Sequence, residues 1–252
     1  MPAYYNEIDP YAAQWLRNLI AAGHIAPGDV DDRSITDVRP DDLRGYEQCH
    51  FFAGIGGWSL ALRLAGWPDD RPVWTGSCPC QPFSAAGKQR GSDDERHLWP
   101  AFFDLIRECR PASVFGEQVA GVAGYAWWDH VAADLEGEDY AAAAADIGAH
   151  SVGAPHRRQR LYWTAADTER HEQPRQEPCG GEAGRVGREQ QLLSWHGGWA
   201  AALARFRVVD DGIPRCVAAT DAARNAIVPQ VAAVFVMANA EVTGLGRATE
   251  VR

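Results

Sequence analysis

The chain has 252 residues, 46% of them apolar and 23% charged, which is enough to bury one sizeable α/β core and excludes wholesale disorder. Twenty-four Lys and Arg against 34 Asp and Glu leave a net charge of −10, the wrong sign for a protein that coats nucleic acid indiscriminately. No stretch approaches about 18 consecutive apolar residues, and the first ten residues are polar and acidic, which argues against a membrane span or secretory signal and for a cytoplasmic protein. Charge is segregated: the first 47 residues carry nine acids and four arginines, whereas residues 156–160 read His-Arg-Arg-Gln-Arg. Six cysteines, at 49, 78, 80, 109, 179 and 216, lack zinc-like spacing, so reduced thiols and no metal site are expected.

Along the chain, apolar runs alternate between strand and helix character, the pattern of a largely parallel sheet with helices on both faces. A strand over 3–6 leads into Glu7, after which Asp9 caps a helix that has Pro10 in its first turn. Residues 31–48 are polar, acidic connecting sequence. A strand over 49–52 enters Gly54-Ile55-Gly56-Gly57, followed by a helix over 58–65 that stops at Gly66. A buried strand over 73–77 ends in Cys78-Pro79-Cys80-Gln81, and residues 82–96 form a long polar loop, more often functional than idle in a compact domain. A helix over 98–109, a strand over 113–115 leading into Glu117, a helix over 128–135, a strand near Tyr140 and a strand over 160–164 continue the alternation. The alanine run 141–145 is too short to carry weight. Residues 167–208 turn to Gly, Gln, Glu and Arg, with Trp195 and Trp199 as the strong apolar anchors, and a helix over 229–237 returns to the main domain before a frayed tail.

Several residues could carry chemistry. Cys80, between a strand end and a loop, is either a small buried hydrophobe or a thiol needing a nearby cation to ionise at neutral pH. The glycine turn 54–57 is either a steric necessity or a place where backbone approaches a ligand at a helix N-terminus. Glu7, just past a strand, is either solvated or a carboxylate for paired ribose hydroxyls. Glu117, at the end of an apolar strand, would have a raised pKa suited to proton donation. Arg158 and Arg160 alternate, so both would project to one side of a strand, gripping a phosphate or base carbonyl or forming a solvated basic edge.

Together these pieces resemble the DNA cytosine carbon-5 methyltransferase family, which uses S-adenosyl-L-methionine. The resemblance rests on Phe52-Ala53-Gly54-Ile55-Gly56-Gly57, on Gly76-Ser77-Cys78-Pro79-Cys80-Gln81-Pro82-Phe83-Ser84, and on Glu117-Gln118-Val119, where the family usually has Glu-Asn-Val. His156-x-Arg158-x-Arg160 is similar to Gln-x-Arg-x-Arg, and Arg224-Asn225-Ala226 to Gly-Asn-(Ala/Ser). Two further motifs stand out of order. Asn6-Glu7-Ile8-Asp9 looks like the family's ribose motif and Gly28-Asp29-Val30 its adenine motif, yet both precede the glycine loop, and only 21 residues, from Trp58 to Cys78, follow that loop before Pro79-Cys80. The chain therefore resembles a rearranged member.

The resemblance implies an α/β fold with a doubly wound, mostly parallel sheet of the S-adenosylmethionine-dependent methyltransferase type, carrying a small target-recognition insertion. It implies a catalytic and cofactor-binding domain over 1–166, a recognition region over 167–213, a returning helix over 214–238 and a tail over 239–252. Cys80, Glu117, Arg158 and Arg160 would be catalytic. Glu7, Ile8, Asp29, Val30, Phe52, Ala53, Gly54, Gly56, Gly57 and Asn225 would bind the cofactor. Pro79, Gln81, Ser84 and Gln118 would meet the substrate. Double-stranded DNA is the implied partner, with a flipped cytosine and a covalent cysteine adduct. The alternatives are an RNA cytosine methyltransferase and a degenerate member that binds without turnover. A second chain compensating for the short recognition region, and a bacterial or phage source, are further expectations. The rearrangement also sets a puzzle: the helix after Gly57 either makes a left-handed crossover or changes faces, or the Glu7 strand comes from another chain.

Overall fold

The computed structural model describes residues 2–79, 98–154, 156–169 and 226–242. Strand β1 (Ala3–Asn6) is buried along its whole length and feeds helix α1 (Pro10–Ala21). Asp9 caps that helix by accepting the Ala12 N–H at 2.9 Å, as its sequence position predicts. Strand β2 (Gly28–Asp31) follows, then a connection with two short 3-10 turns that bury Ile35 and Leu43, and strand β3 (Gln48–Phe51). Helix α2 (Gly57–Leu64), strand β4 (Val73–Gly76), helix α3 (Trp99–Cys109) and strand β5 (Ser113–Val119) come next. Helix α4 (Val122–Gly137), strands β6 (Tyr140–Gly148) and β7 (Gln159–Asp167), joined by a 3-10 turn over Ala149–Val152, and helix α5 (Pro229–Val242) complete the described elements.

The strands form one sheet in the order β2-β1-β3-β4-β5-β7-β6. The first five are mutually parallel, and β7 runs antiparallel to both β5 and β6. This is the expected mostly parallel sheet with helices on both faces. Asn6 pairs with Phe51, Phe51 with Gly76 and Gly76 with Gly116, so the carboxyl ends of four neighbouring strands stand level. Two of those positions are glycine because of what lies over them. A Cβ on Gly76 would fall 2.4 Å from the Phe102 ring, and one on Gly116 2.1 Å from the Trp163 indole.

The two faces have separate cores. Tyr4, Cys49, Phe51, Trp74 and Val114 point to one, packed under α3 and α4. Tyr5, Val73, Phe115 and Tyr162 point to the other, covered by α1, α2 and α5. Tyr5 stacks on His50, whose Nδ1 lies 2.8 Å from Thr75 Oγ1, keeping three adjacent strands in contact on the second face.

Helix placement resolves the crossover puzzle. A parallel crossover's hand depends on the direction of the step and the face that carries the helix. The β1–α1–β2 and β4–α3–β5 units step in opposite directions with helices on opposite faces, so they share one hand. The β3–α2–β4 unit steps in the direction of β4–α3–β5 but lays α2 on the face of α1, so its hand is the other one. Since about 98% of such units are right-handed, the β3–α2–β4 unit is the left-handed exception. The Glu7 strand belongs to the same chain, and α2 has not changed faces.

Other boundaries differ from expectation. The strand leading to Glu117 runs on through Val119, because pairing with β7 extends to Arg160. The alanine run 141–145 lies inside β6, where small side chains suit a strand at the sheet edge. Helix α4 starts at Val122, six residues earlier than its apolar spacing indicates, and α5 continues to Val242, past the expected 237. The domain boundary placed after 166 falls at the last residue of β7; the recognition region beyond Glu169 and the tail beyond Val242 lie outside the described residues. No helix among the described residues is long and apolar enough to cross a membrane.

Helix α2 is tied to the rearranged N-terminal unit through Ser59. Its Oγ accepts the Ala26 N–H at 3.0 Å and lies 3.0 Å from the Tyr5 hydroxyl, which itself donates to the Ala26 carbonyl at 2.7 Å. Replacing Ser59 by Ala leaves a buried backbone donor unpaired, and urea denaturation should register a loss of about 1–3 kcal/mol.

Candidate active site

The candidate residues collect where the strands end. Glu7, Phe52, Ser77 and Glu117 each sit one residue beyond the level row of Asn6, Phe51, Gly76 and Gly116.

Glu7 joins the N-terminal unit to the glycine loop. Its Oε2 accepts the Gly54 N–H at 2.7 Å, and its Oε1 accepts the Asp9 N–H at 2.9 Å. Burial raises its pKa, while these two N–H groups pull it back. The Asn6 carbonyl accepts the Ala53 N–H at 3.0 Å, so the last residue of β1 and the residue just after it both hold the loop. Phe52 turns through φ +51° and sets its ring edge-on to Phe102, with 6.0 Å between centroids. Gly54 has φ +54° and nothing within 4 Å of the place a Cβ would occupy, so the loop leaves open space above it. Ile8 stands beside Glu7 and is 64% exposed, unusual for a large aliphatic side chain. On the helix side, a Cβ on Gly57 would fall 2.7 Å from Ile227 Cγ1, so the segment leading into α5 packs directly on the loop. Asn225 itself lies outside the described residues.

An exposed apolar side chain, a partly buried aromatic ring, a carboxylate and a glycine cradle fit an adenosyl group. Asp29 does not join them. It is the register partner of Tyr4, two residues below the strand end, and its Oδ2 accepts the Tyr46 hydroxyl at 2.8 Å. Together with Val30 it borders a separate cavity of about 450 Å3 shared with Tyr4, Arg33 and Tyr46. The residue of β2 level with Asn6 is Asp31, which is held by the Tyr4 hydroxyl at 2.6 Å and by the Arg33 guanidinium at 2.7 Å.

At the other end of the row, Glu117 is buried and lies 2.7 Å from Arg160 Nε. Burial raises the Glu117 pKa, opposed by the charges of Arg160 and Arg158. The two arginines do not alternate along a strand as their spacing suggests: Arg158 precedes β7 with φ +30°, and only Arg160 lies within it. Arg158 donates to the Ala226 carbonyl, and Tyr162 packs in one buried cluster with Ile227 and Val228, so residues near the start of β7 hold the approach to α5.

Among the residues given to the substrate, Pro79 is exposed at the strand end, whereas Cys80, Gln81 and Ser84 lie outside the described residues, as does the whole loop 82–96. Gln118 is turned inward. Its amide donates to the Cys78 carbonyl at 3.2 Å and its oxygen accepts the Val119 N–H at 2.8 Å, so its amide serves the backbone. Three residues escaped the sequence reading: Trp58, whose indole N–H donates to Ser77 Oγ at 2.9 Å, Ser77 itself, and Tyr162. A tryptophan straight after a glycine loop was the available signal, but amphipathic spacing explains it equally well.

Residues 66–180 match the family described as C-5 cytosine-specific DNA methylase. The chain is similar to the type II methyltransferase M.AplI of Arthrospira platensis, with 35% identity over 153 residues, covering 46% of this chain and 44% of that protein. It is 28% identical over 175 residues to the type II methyltransferase M.HhaI of Haemophilus parahaemolyticus, covering 53% and 50%. The chain thus spans about half the length of these curated relatives. Among solved structures, a mutant of Spodoptera frugiperda DNMT2 aligns with a TM-score of 0.47 at 16% identity, covering 70% of this chain and 45% of that one.

The buried carboxyl predicts a pH effect. Because the folded-state pKa of Glu117 is raised, its stabilising effect is complete below the unfolded carboxyl value of about 4.3 and is lost as pH rises through the folded value. Denaturation of Glu117→Gln should therefore show a flatter fall in stability above pH 4 than the unsubstituted chain.

Proposed function

We propose that the chain, whose residues 66–180 match the C-5 cytosine-specific DNA methylase family, transfers a methyl group from S-adenosyl-L-methionine to carbon 5 of cytosine in DNA. The observation that carries this reading is the row of strand ends that sets Glu7, Phe52, Ser77 and Glu117 side by side. The glycine cradle and carboxylate at one end, and the buried acid with its arginine at the other, supply a cofactor half and a base half on one rim.

In this reading Glu7 receives the ribose hydroxyls, Ile8 and Phe52 pack on the adenine, and Ala53, Gly54, Gly56 and Gly57 let the backbone approach. Asn225 adds a polar contact from the α5 side. Asp29 and Val30 contribute only if Asp29 exchanges its Tyr46 partner, so the adenine amino group is the weakest-held part of the cofactor. When bound, the cofactor supplies a methyl carbon attached to a positively charged sulfur.

Cytosine carbon 5 is too weakly nucleophilic to take that methyl unaided. The Cys80 thiolate adds to carbon 6, and a carboxyl of raised pKa at Glu117 can give ring nitrogen 3 a proton as electron density moves to carbon 5. Carbon 5 would take the methyl carbon as the methyl–sulfur bond breaks to leave a neutral thioether, then lose its own proton to a base as the carbon 6–sulfur bond breaks to return the Cys80 thiolate, and ring nitrogen 3 would return its proton to Glu117. Arg160 fixes the Glu117 carboxylate and would also meet the base carbonyl, while Arg158 secures the C-terminal segment. In a duplex the base must leave the stack, which costs a few kcal/mol. The recognition region 167–213 is short and nearly neutral, with Arg170, Arg175, Arg185, Arg188, Arg205 and Arg207 in its sequence offset by eight acids, which favours relaxed sequence specificity or help from a partner.

Transfer of radiolabelled methyl from S-adenosylmethionine to duplex DNA, and to transfer RNA in parallel, tests the proposal. Label should enter DNA, and Cys80→Ala should reduce it to background. Retained transfer in that variant would dismiss the nucleophile. Transfer to RNA alone would reassign the substrate, and transfer to neither would leave a binding protein.

A further inference from the structure

The two residues before Pro79-Cys80 are gripped from opposite sides. Ser77 Oγ accepts the indole N–H of Trp58 at 2.9 Å, and the Cys78 carbonyl accepts the side-chain amide of Gln118 at 3.2 Å. Trp58 is the residue straight after the glycine loop, and Gln118 the residue straight after Glu117. Both are almost completely buried, Trp58 at 4% exposure against Phe115 and Tyr162, Gln118 at 2%. Their positions are therefore fixed by packing and do not adjust to the chain they hold. A β4 strand of four residues gives its successors little support of its own, since pairing with β5 ends at Gly76–Gly116. Beyond that point these two side-chain bonds replace the ladder.

We propose that Trp58 and Gln118 are positioning residues that set the start of the Cys80 segment relative to the cofactor loop on one side and the buried acid on the other. The inference rests on the reading of Cys80 as nucleophile but concerns different residues. A bond from α2 transmits the placement of the glycine loop, and a bond from β5 transmits the placement of Glu117, so three separate parts of the site share one frame. Misplacing a reacting group by about 1 Å can cost on the order of a hundredfold in rate, so such a brace should act on the chemical step and leave cofactor affinity alone.

The test uses the full chain with Trp58→Phe, Ser77→Ala, their double variant, Gln118→Met and Gln118→Asn. One readout is the rate of covalent adduct formation with a duplex carrying 5-fluorocytosine, in which fluorine cannot leave as the proton does and the adduct accumulates. The other is the rate at which iodoacetamide labels Cys80, followed by peptide mass, which needs no activity. Adduct formation should fall about tenfold in each single variant, with cofactor affinity within twofold and melting temperature within a few degrees. The Trp58→Phe/Ser77→Ala double should be no slower than either single, because both remove one bond. Cys80 labelling should change at least threefold, with Gln118→Asn nearer the parent than Gln118→Met. Unchanged adduct and labelling rates, or a parallel loss of cofactor affinity, stability and rate, would overturn the brace. No adduct in the parent chain would instead sink the nucleophile assignment, and the labelling rates would still decide whether Trp58 and Gln118 place that segment.

Discussion

Asn6, Phe51, Gly76 and Gly116 stand abreast in the sheet, and the arrangement of the candidate site follows from that alignment. Parallel pairing in register brings four chain segments, far apart in sequence, to one rim at the spacing of adjacent strands, about 4.8 Å apart. Each strand is four to seven residues long, so a slip of one residue would turn every side chain to the opposite face and put Glu7 or Glu117 out of line. The register is secured from both faces. Phe102 fills the space over Gly76 and Trp163 that over Gly116 on one side, while the Tyr5, His50 and Thr75 contacts lock β1, β3 and β4 on the other.

The unusual order of motifs is compatible with this rim because neighbours in a sheet need not be neighbours in sequence. The β1–α1–β2 unit packs on the free edge of β3 as a whole, and Glu7 reaches the Gly54 N–H from there. The consequence is the left-handed β3–α2–β4 crossover. A right-handed one would carry α2 to the face occupied by α3, away from Ser59's bonds to Tyr5 and Ala26 and away from α5, whose lead-in Ile227 touches Gly57. The contacts of the glycine loop therefore hold an otherwise rare connection in place.

Electrostatics divide the rim. At the Glu7 end, two backbone N–H groups moderate the effect of burial on a carboxylate. At the Glu117 end, burial is nearly complete and the compensation comes from two guanidinium groups, one of which also secures the C-terminal segment. The net −10 charge of the chain is uninformative about this, because the arginines that matter are local and partly buried while much of the acidity lies in the exposed N-terminal connection.

Much was legible in the sequence because it depends on local chemistry. Asp9-Pro10 marks a helix start by capping; Gly54-Ile55-Gly56-Gly57 marks a turn by its backbone freedom; Pro79-Cys80-Gln81 and Glu117-Gln118-Val119 carry a family resemblance in their side chains. Strand alternation indicated a largely parallel sheet, and the displaced Glu7 motif indicated a rearranged one. Tertiary structure alone decided what depends on distance through space. It put Asp29 two residues below the rim, turned Gln118 inward to the Cys78 carbonyl, and placed the indole of Trp58 on Ser77. The hand of the crossover belongs here too. Sequence spacing fixes how far apart residues are along the chain, whereas register, facing helices and burial fix which of them meet.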